Sequence, residues 1–352
     1  MRLNRGVPGS AGVNQLERHI IVDQYGAFVG KKSERLVVRK EKEVLVEVPF
    51  VDLEQLTIAS GGVSMSTDVI RECMEQGIQI NFLSSSGKPY AKITSPHLSG
   101  MVLTRREQLL AYYDDRGLKL ARAFVDGKIR NQINVLKYFA KHRKRADVEL
   151  HRKLYEAAGK MDAIRGELNH LEAANIEAVR AQMMSVEGRA ADEYWQMVGE
   201  VILGKTEFVG REHRGATDPF NSLLNYGYGI LYQQVTGALL LAGLEPYGGF
   251  LHADRSGKPS LALDFIEEFR AQVVDRTVIA MISKGFEPEL EDGRLSQKTR
   301  RELADRVLER LEYTERYEGE KHRVKTIIQR QARHLATFVR REGNYRPFVA
   351  SW

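Results

Sequence analysis

Four residues in this sequence have the types to do chemistry together: Glu187, His252, Asp264 and Glu267. Glu187 lies in Ser185-Val186-Glu187-Gly188-Arg189-Ala190-Ala191-Asp192-Glu193-Tyr194-Trp195, where an acid and a glycine stand among small residues ahead of an aromatic-bearing stretch. The pattern predicts a turn that another group approaches closely, then a helix that Asp192 would N-cap. Taken alone, Glu187 reads as an ordinary early-turn acid. His252 lies in the glycine-rich run Pro246-Tyr247-Gly248-Gly249-Phe250-Leu251-His252-Ala253-Asp254-Arg255-Ser256-Gly257-Lys258-Pro259. Loops of this kind often carry function, although a lone histidine is by itself unremarkable. Next comes Ser260 to Arg270, a predicted helix with Leu261, Phe265 and Phe269 on one apolar stripe and Asp264 and Glu267 sharing the face beside it.

Acids beside a buried stripe cost desolvation free energy unless a cation or a donor meets them. One reading gives that task to Arg270 as a salt bridge. The other has a carboxylate of this helix join His252 and the distant Glu187 around a divalent ion. Hard oxygen donors with one imidazole suit Mg²⁺ or Mn²⁺, whereas structural zinc would want more Cys or His. Spacing leaves both readings open. The single cysteine, Cys73, excludes an intrachain disulfide and a multi-cysteine zinc site, and is expected as a small core residue in a reducing compartment.

The elements that must position these residues fall into two groups along the 352-residue chain, long enough for two domains. Before about residue 95 short apolar and β-branched runs alternate with turns: His19 to Val22, Ala27 to Val29, Arg35 to Val38, and Val44 to Val48 with Val44, Val46 and Val48 on one face. Asp23-Gln24-Tyr25-Gly26 and Lys40-Glu41-Lys42-Glu43 read as hairpin turns, Thr67 as the N-cap of a short helix, and Ile78 to Leu83 and Tyr90 to Thr94 as further strands. Beyond Thr104 the periodicity is helical, with helices expected over 105–124, 128–142, 149–159, 162–182, 192–204, 221–242, 261–282, 298–310 and 324–341. The expected class is therefore α+β and multidomain: a small N-terminal antiparallel β domain over 1–97, a linker over 98–103, and a large all-α domain over 104–352. Phe220 to Leu244 is uncharged and membrane-length, but Asn221, Asn225, Gln233 and Gln234 would face lipid, so a buried central helix is expected. No basic-then-apolar signal segment opens the chain, and a cytoplasmic location is expected.

There are 53 Lys and Arg against 47 Asp and Glu, a net +6 that decides little. Their distribution says more. From Lys128 to Arg145 there are seven basic residues and no acid, and from Lys321 to Arg346 eight against one. Such blocks suggest phosphate-facing surfaces, with solvated helix faces as the competing account.

The ordered set Val186-Glu187-Gly188-Arg189-Ala190-Ala191 with Tyr194-Trp195, then Arg214, Asp218-Pro219-Phe220-Asn221 and Leu224-Asn225-Tyr226-Gly227-Tyr228, then His252 to Arg270, and finally Gln329 to Phe348 with Arg333, Tyr345, Arg346 and Pro347, resembles the universal CRISPR-associated adaptation endonuclease/integrase family. By motif position the resemblance implies that Glu187, His252 and Glu267 are catalytic and hold Mg²⁺ or Mn²⁺. The third position is an Asp in many relatives, which keeps Asp264 as an alternative or supporting ligand. It implies a metal-dependent DNA endonuclease and integrase that inserts spacer DNA into CRISPR arrays by transesterification of a repeat phosphodiester. A transposon-type integrase or repair nuclease on the same fold, or a non-catalytic DNA-binding scaffold, are the alternatives. The implied partners are double-stranded and branched DNA, a second copy of the chain through the β domain, and a small ferredoxin-like CRISPR adaptation protein, with no membrane. Arg189, Arg214 and Arg255 are expected near the scissile region, and Lys141, Arg143, Lys144, Arg145, Arg330 and Arg333 on the duplex backbone. Tyr226 and Tyr228 read as packing.

Overall fold

The computed structural model describes residues 13–16, 19–84, 87, 89–93, 102–212, 216, 218–253 and 255–351. The chain divides into two compact units, Met1–His97 with Glu289–Glu309, and Leu98–Pro288 with Arg310–Trp352. The return of 289–309 to the first unit was not anticipated from the sequence, where helical periodicity assigned it to the α domain. Local periodicity carries no information about which unit an element packs against.

The first unit contains strands β1 (Val13–Leu16), β2 (His19–Val22), β3 (Phe28–Lys32), β4 (Arg35–Lys40), β5 (Glu43–Pro49), β6 (Gln55–Ile58) and β7 (Ser64–Met65), helix α1 (Thr67–Glu75), and strands β8 (Gln79–Leu83) and β9 (Pro89–Ile93). One sheet has the order β1-β2-β6-β8-β9 and the other β5-β4-β3-β7. Their inward residues, Ile20, Val22, Val29, Leu36, Val38, Leu56, Ile58 and Ile80, share one core with Val69 and Cys73 of α1. The expectation of purely antiparallel sheets needs correction: β2 with β6, β6 with β8 and β3 with β7 run parallel. Parallel neighbours need a crossover rather than a hairpin, and the segment holding β7 and α1 supplies it between β6 and β8. Asp23 to Gly26 is accordingly no hairpin. It passes the chain from one sheet to the other. Lys40 to Glu43 does join a hairpin, β4 to β5. The α1 cap is Ser66, whose hydroxyl accepts the Val69 N–H at 3.4 Å, one residue before the expected Thr67. Within the same unit, β10 (Leu290–Glu291) and β11 (Arg294–Leu295) form a hairpin before α9 (Gln297–Glu312), which belongs to this unit as far as Glu309, and Arg301 reaches Asp23 at 3.3 Å.

The second unit is built from α2 (Val102–Ala111), α3 (Asp115–Arg143), α4 (Val148–Gly166), α5 (Arg180–Ile202), α6 (Pro219–Leu241), α7 (Ser260–Arg270), α8 (Arg276–Ser283) and α10 (Val324–Val339). It is not wholly helical, because β12 (Thr314–Tyr317) and β13 (Glu320–Arg323) form a hairpin ahead of α10. Side-chain caps fix three helix starts: Asp114 accepts the Arg116 N–H at 2.9 Å, Asp147 that of Leu150 at 3.0 Å, and Asp218 that of Asn221 at 2.8 Å, with Pro219 in the first turn. The uncharged α6 is the expected buried helix, and among the described residues no helix is long and apolar enough to cross a membrane.

Helix α7 packs against α3 and α6. Leu261, Phe265 and Phe269 are buried as the stripe predicts, but so are Asp264, Glu267 and Glu268. A π-helical segment, Ala271–Asp275, continues it into α8. On α3, a Cβ added at Gly127 would stand 2.7 Å from Pro347 Cβ and 3.3 Å from Glu268 Cγ, so glycine permits the close approach that seats the next residue, Lys128, beside α7.

Candidate active site

The three buried acids of α7 point to three different partners. Asp264 turns to the loop before the helix: its Oδ2 accepts the backbone N–H groups of Phe250 and Leu251 at 2.6 and 2.9 Å, and its Oδ1 accepts that of His252 at 2.9 Å. Its Oδ1 also lies 2.7 Å from His252 Nδ1. With the Nδ1 proton donated to the carboxylate, Nε2 carries the lone pair, and no described residue hydrogen-bonds it. Asp264 therefore positions His252, with both oxygens already used.

Glu268 faces the C-terminal segment, accepting from Tyr345 Oη, Gln331 Nε2 at 3.0 Å and the Phe348 N–H at 2.9 Å. These bonds explain the C-terminal motif: they fasten residues 345–348 to the back of the site-bearing helix.

Glu267 faces cations. Arg270 Nη1 lies 2.6 Å from its Oε1, and Lys128 Nζ lies 2.9 Å from its Oε2. The same Nζ donates to Glu187 Oε1. Burial alone would raise the Glu267 carboxyl, but Arg270 and Lys128 outweigh it and hold the group far down, at about 2. The ammonium in turn is held above its ordinary value, because Glu267 and Glu187 outweigh the cost of its burial. Glu267 Oε2 is buried without an aligned hydrogen-bond donor. The Arg270 salt bridge anticipated from the sequence is thus present, and so is the approach of Glu187 and Glu267 to one positive charge.

Glu187 lies inside α5, seven residues after its start, rather than in a turn ahead of a helix. Asp192 is inside the same helix and caps nothing. The glycine that suggested a close approach, Gly188, has nothing within 4 Å of its added Cβ position. Small residues there continue an α-helix instead of marking a turn.

Behind Glu267 is a small cavity of about 30 Å³ lined by Lys128, Gln132, Trp195, Arg211, Tyr228, Arg270 and Asp275, among others. Asp275 in the π segment accepts the hydroxyls of Tyr194, at 3.0 Å, and Tyr228. The guanidinium of Arg270 lies over the Tyr228 ring at 4.9 Å and that of Arg211 at 5.3 Å. Tyr228 therefore belongs to the surround of the site and is more than packing. Asp275 and the inward turn of Lys128 escaped the sequence reading, and the available signal was an acid eight residues beyond Glu267 near two motif tyrosines.

The basic residues separate by what they touch. Lys141, Lys144, Arg145, Arg255 and Arg333 are exposed. Arg189 is paired with Glu167 at 2.9 and 2.5 Å, Arg330 with Glu318 at 2.6 Å, and Arg143 donates to the Phe139 and Val201 carbonyls at 3.2 and 3.3 Å. Lys128, counted in the first basic block, is directed inward. Arg214 lies outside the described residues.

The family CRISPR associated protein Cas1 matches residues 20–310. This chain belongs to that family. Among its relatives, CRISPR-associated endonuclease Cas1 1 of Archaeoglobus fulgidus is 38% identical over 345 residues, spanning 95% of this chain and 99% of the relative. In fold the chain is similar to a casposase bound to integration product, with a TM-score of 0.77 and 21% identity over 94% of this chain and 93% of that one. It is also similar to a chain of a Cas6-RT-Cas1–Cas2 complex, with a TM-score of 0.75 and 20% identity over 96% of this chain and 37% of that one. The resemblance drawn from the motifs is borne out.

Two carboxylates reach toward one cation, one of them keeps a buried oxygen without an aligned donor, and a neighbouring imidazole is held with Nε2 unengaged. These donors fit a hard divalent ion. Among the described residues, however, no group of three or more His, Cys, Asp or Glu side chains is already arranged to hold one.

Proposed function

We propose that this chain is a divalent-metal-dependent DNA endonuclease and integrase that inserts spacer DNA into CRISPR arrays. The observation that carries the reading is the meeting of Glu187 and Glu267 at a single positive charge beside the Asp264-oriented His252. Glu187, His252 and Glu267 would hold Mg²⁺ or Mn²⁺, and Asp264 would fix the imidazole tautomer from behind. When bound, the ion would act as a Lewis acid toward a phosphodiester, favouring attack by a DNA 3′-hydroxyl in integration or by water in cleavage. Arg270 keeps the Glu267 carboxyl ionised, and the Phe250–His252 backbone anchored on Asp264 keeps the histidine from drifting.

Support for the substrate comes from the relatives: the A. fulgidus protein is named an endonuclease, and the casposase structure contains an integration product. The Cas1–Cas2 complex supports a small adaptation partner, and a homodimer through the β domain and a cytoplasmic location complete the reading. Exposed Lys141, Lys144, Arg145, Arg255 and Arg333 would meet phosphates. The casposase likeness favours one second reading, a transposon-type integrase using the same residues on different DNA. A branched-DNA cleavage and strand-transfer assay in Mn²⁺, with and without EDTA, tests the proposal. Activity is expected to need the ion, and activity that survives EDTA overturns the mechanism. Preference for a CRISPR repeat over transposon ends separates the two integrase readings.

A further inference from the structure

Lys128 is the residue of this site that the metal reading leaves unexplained. Its ammonium is wedged between Glu187 and Glu267, with 14% of the side chain exposed against 17% and 5% for the two acids. With Arg270 on the far side of Glu267, one buried and one half-buried carboxylate meet two cations, and the charges balance with no ion present. A divalent ion placed between the same carboxylates would face an ammonium only a few ångströms away in a partly dry setting, where like charges repel strongly. The ammonium and the ion compete for one place.

The structure also offers the ammonium a second seat. The small cavity behind Glu267 is lined by Lys128 itself and by Gln132, one turn further along α3, together with Asp275, the rings of Trp195 and Tyr228, and the cationic Arg211 and Arg270. At about 30 Å³ it has the size of a water molecule or an ammonium group. Gln132 is 3% exposed, and its Oε1 is buried without a hydrogen-bond partner, an acceptor awaiting a donor. A lysine stem is flexible, and because Arg211 and Arg270 already lie over the Trp195 and Tyr228 rings, the Gln132 oxygen is the group that would receive the ammonium.

Resting on the metal reading above, we propose that Lys128 is a two-position counter-ion that sets metal affinity. It neutralises Glu187 and Glu267 when no ion is bound, and yields to a divalent ion by moving its ammonium toward Gln132 Oε1. The two residues then have opposite effects on metal binding. Replacing Lys128 removes the competitor; replacing Gln132 removes the seat to which the competitor withdraws.

Mn²⁺ binding to the full-length protein without DNA, followed by the loss of the free-ion EPR signal, tests this with Lys128→Met and Gln132→Leu. Lys128→Met is expected to bind Mn²⁺ about tenfold more tightly than wild type, a size set by removing one nearby like charge. It should also melt at a lower temperature in EDTA and gain more from added Mn²⁺ than wild type does. Gln132→Leu is expected to bind more weakly. Lys128→Gln serves if the methionine variant does not fold. Equal or weaker Mn²⁺ binding by both Lys128 variants overturns the inference while leaving the metal reading intact. If wild type and variants alike bind no Mn²⁺, the metal reading falls and the inference with it.

Discussion

His252 Nδ1 stands 2.7 Å from Asp264 Oδ1, and the same carboxylate accepts the backbone N–H groups of Phe250, Leu251 and His252. One buried side chain thus sets both the path of the loop and the tautomer of its histidine. Asp264→Ala is expected to weaken Mn²⁺ binding by about 10–100-fold, the usual cost of losing a group that orients a ligand. It should also destabilise the protein by about 1–3 kcal/mol for each N–H left unsatisfied. Unchanged Mn²⁺ affinity in a folded Asp264→Ala protein would contradict the positioning role.

Glu187→Ala, His252→Ala and Glu267→Ala should each abolish Mn²⁺-dependent cleavage and strand transfer while DNA binding by gel shift largely remains. Retained activity in all three is the result expected of a non-catalytic scaffold.

Stability should separate the two glutamates. Removing the charge of Glu267 by Glu267→Gln leaves Arg270 and Lys128 buried with too little negative charge, a change expected to cost about 3–5 kcal/mol in urea unfolding. Glu187→Gln should cost less, because Glu187 is more exposed and Lys128 keeps Glu267. A larger loss for Glu187→Gln would show that the charge account is wrong.

Exposed Lys141 lies in the last turn of α3, and exposed Lys144 and Arg145 follow it. Replacing all three by Ala should weaken DNA binding and flatten the plot of log affinity against log salt by about 0.9 for each phosphate no longer neutralised. Arg143→Ala should instead lower the melting temperature, since its guanidinium is bound to two carbonyls. An unchanged salt slope in the triple variant would remove this surface from the DNA-binding account.

Burial raises the Asp275 carboxyl above its ordinary 3.8, with the hydroxyls of Tyr228 and Tyr194 and the charges of Arg211 and Arg270 offsetting only part of it. The native state therefore holds this proton after the unfolded chain has released it. The corresponding stability is fully present below pH 3.8 and declines as pH rises from there through the raised native value. Asp275→Asn should remove that part of the pH dependence, seen as a smaller difference from wild type at acid than at neutral pH. Parallel stability–pH curves for the two proteins would count against it.

Legibility in the sequence followed the range of the signal. The apolar stripe of Leu261, Phe265 and Phe269 marks α7 because burial imposes a local period, and the motif order identifies the family and with it Glu187, His252 and Glu267. Local pattern failed where two structures share one composition. Val186 to Ala191 has the small residues of a turn and is helix, and Asp23 to Gly26 has turn residues but connects two sheets.

By itself, then, the sequence determined the two-part α+β character, the buried α6, the family, and which acids and histidine to consider. Tertiary structure alone decided the division of labour within α7, where Asp264, Glu267 and Glu268 lie within five residues yet meet a loop, two cations and a C-terminal segment. It also decided that Lys128 turns inward to Glu187, 59 residues away, although it belongs by composition to a basic surface block. The reason is physical: helical period specifies which face a side chain occupies, but only packing specifies what stands opposite that face, and the charge opposite a buried carboxylate decides its chemistry.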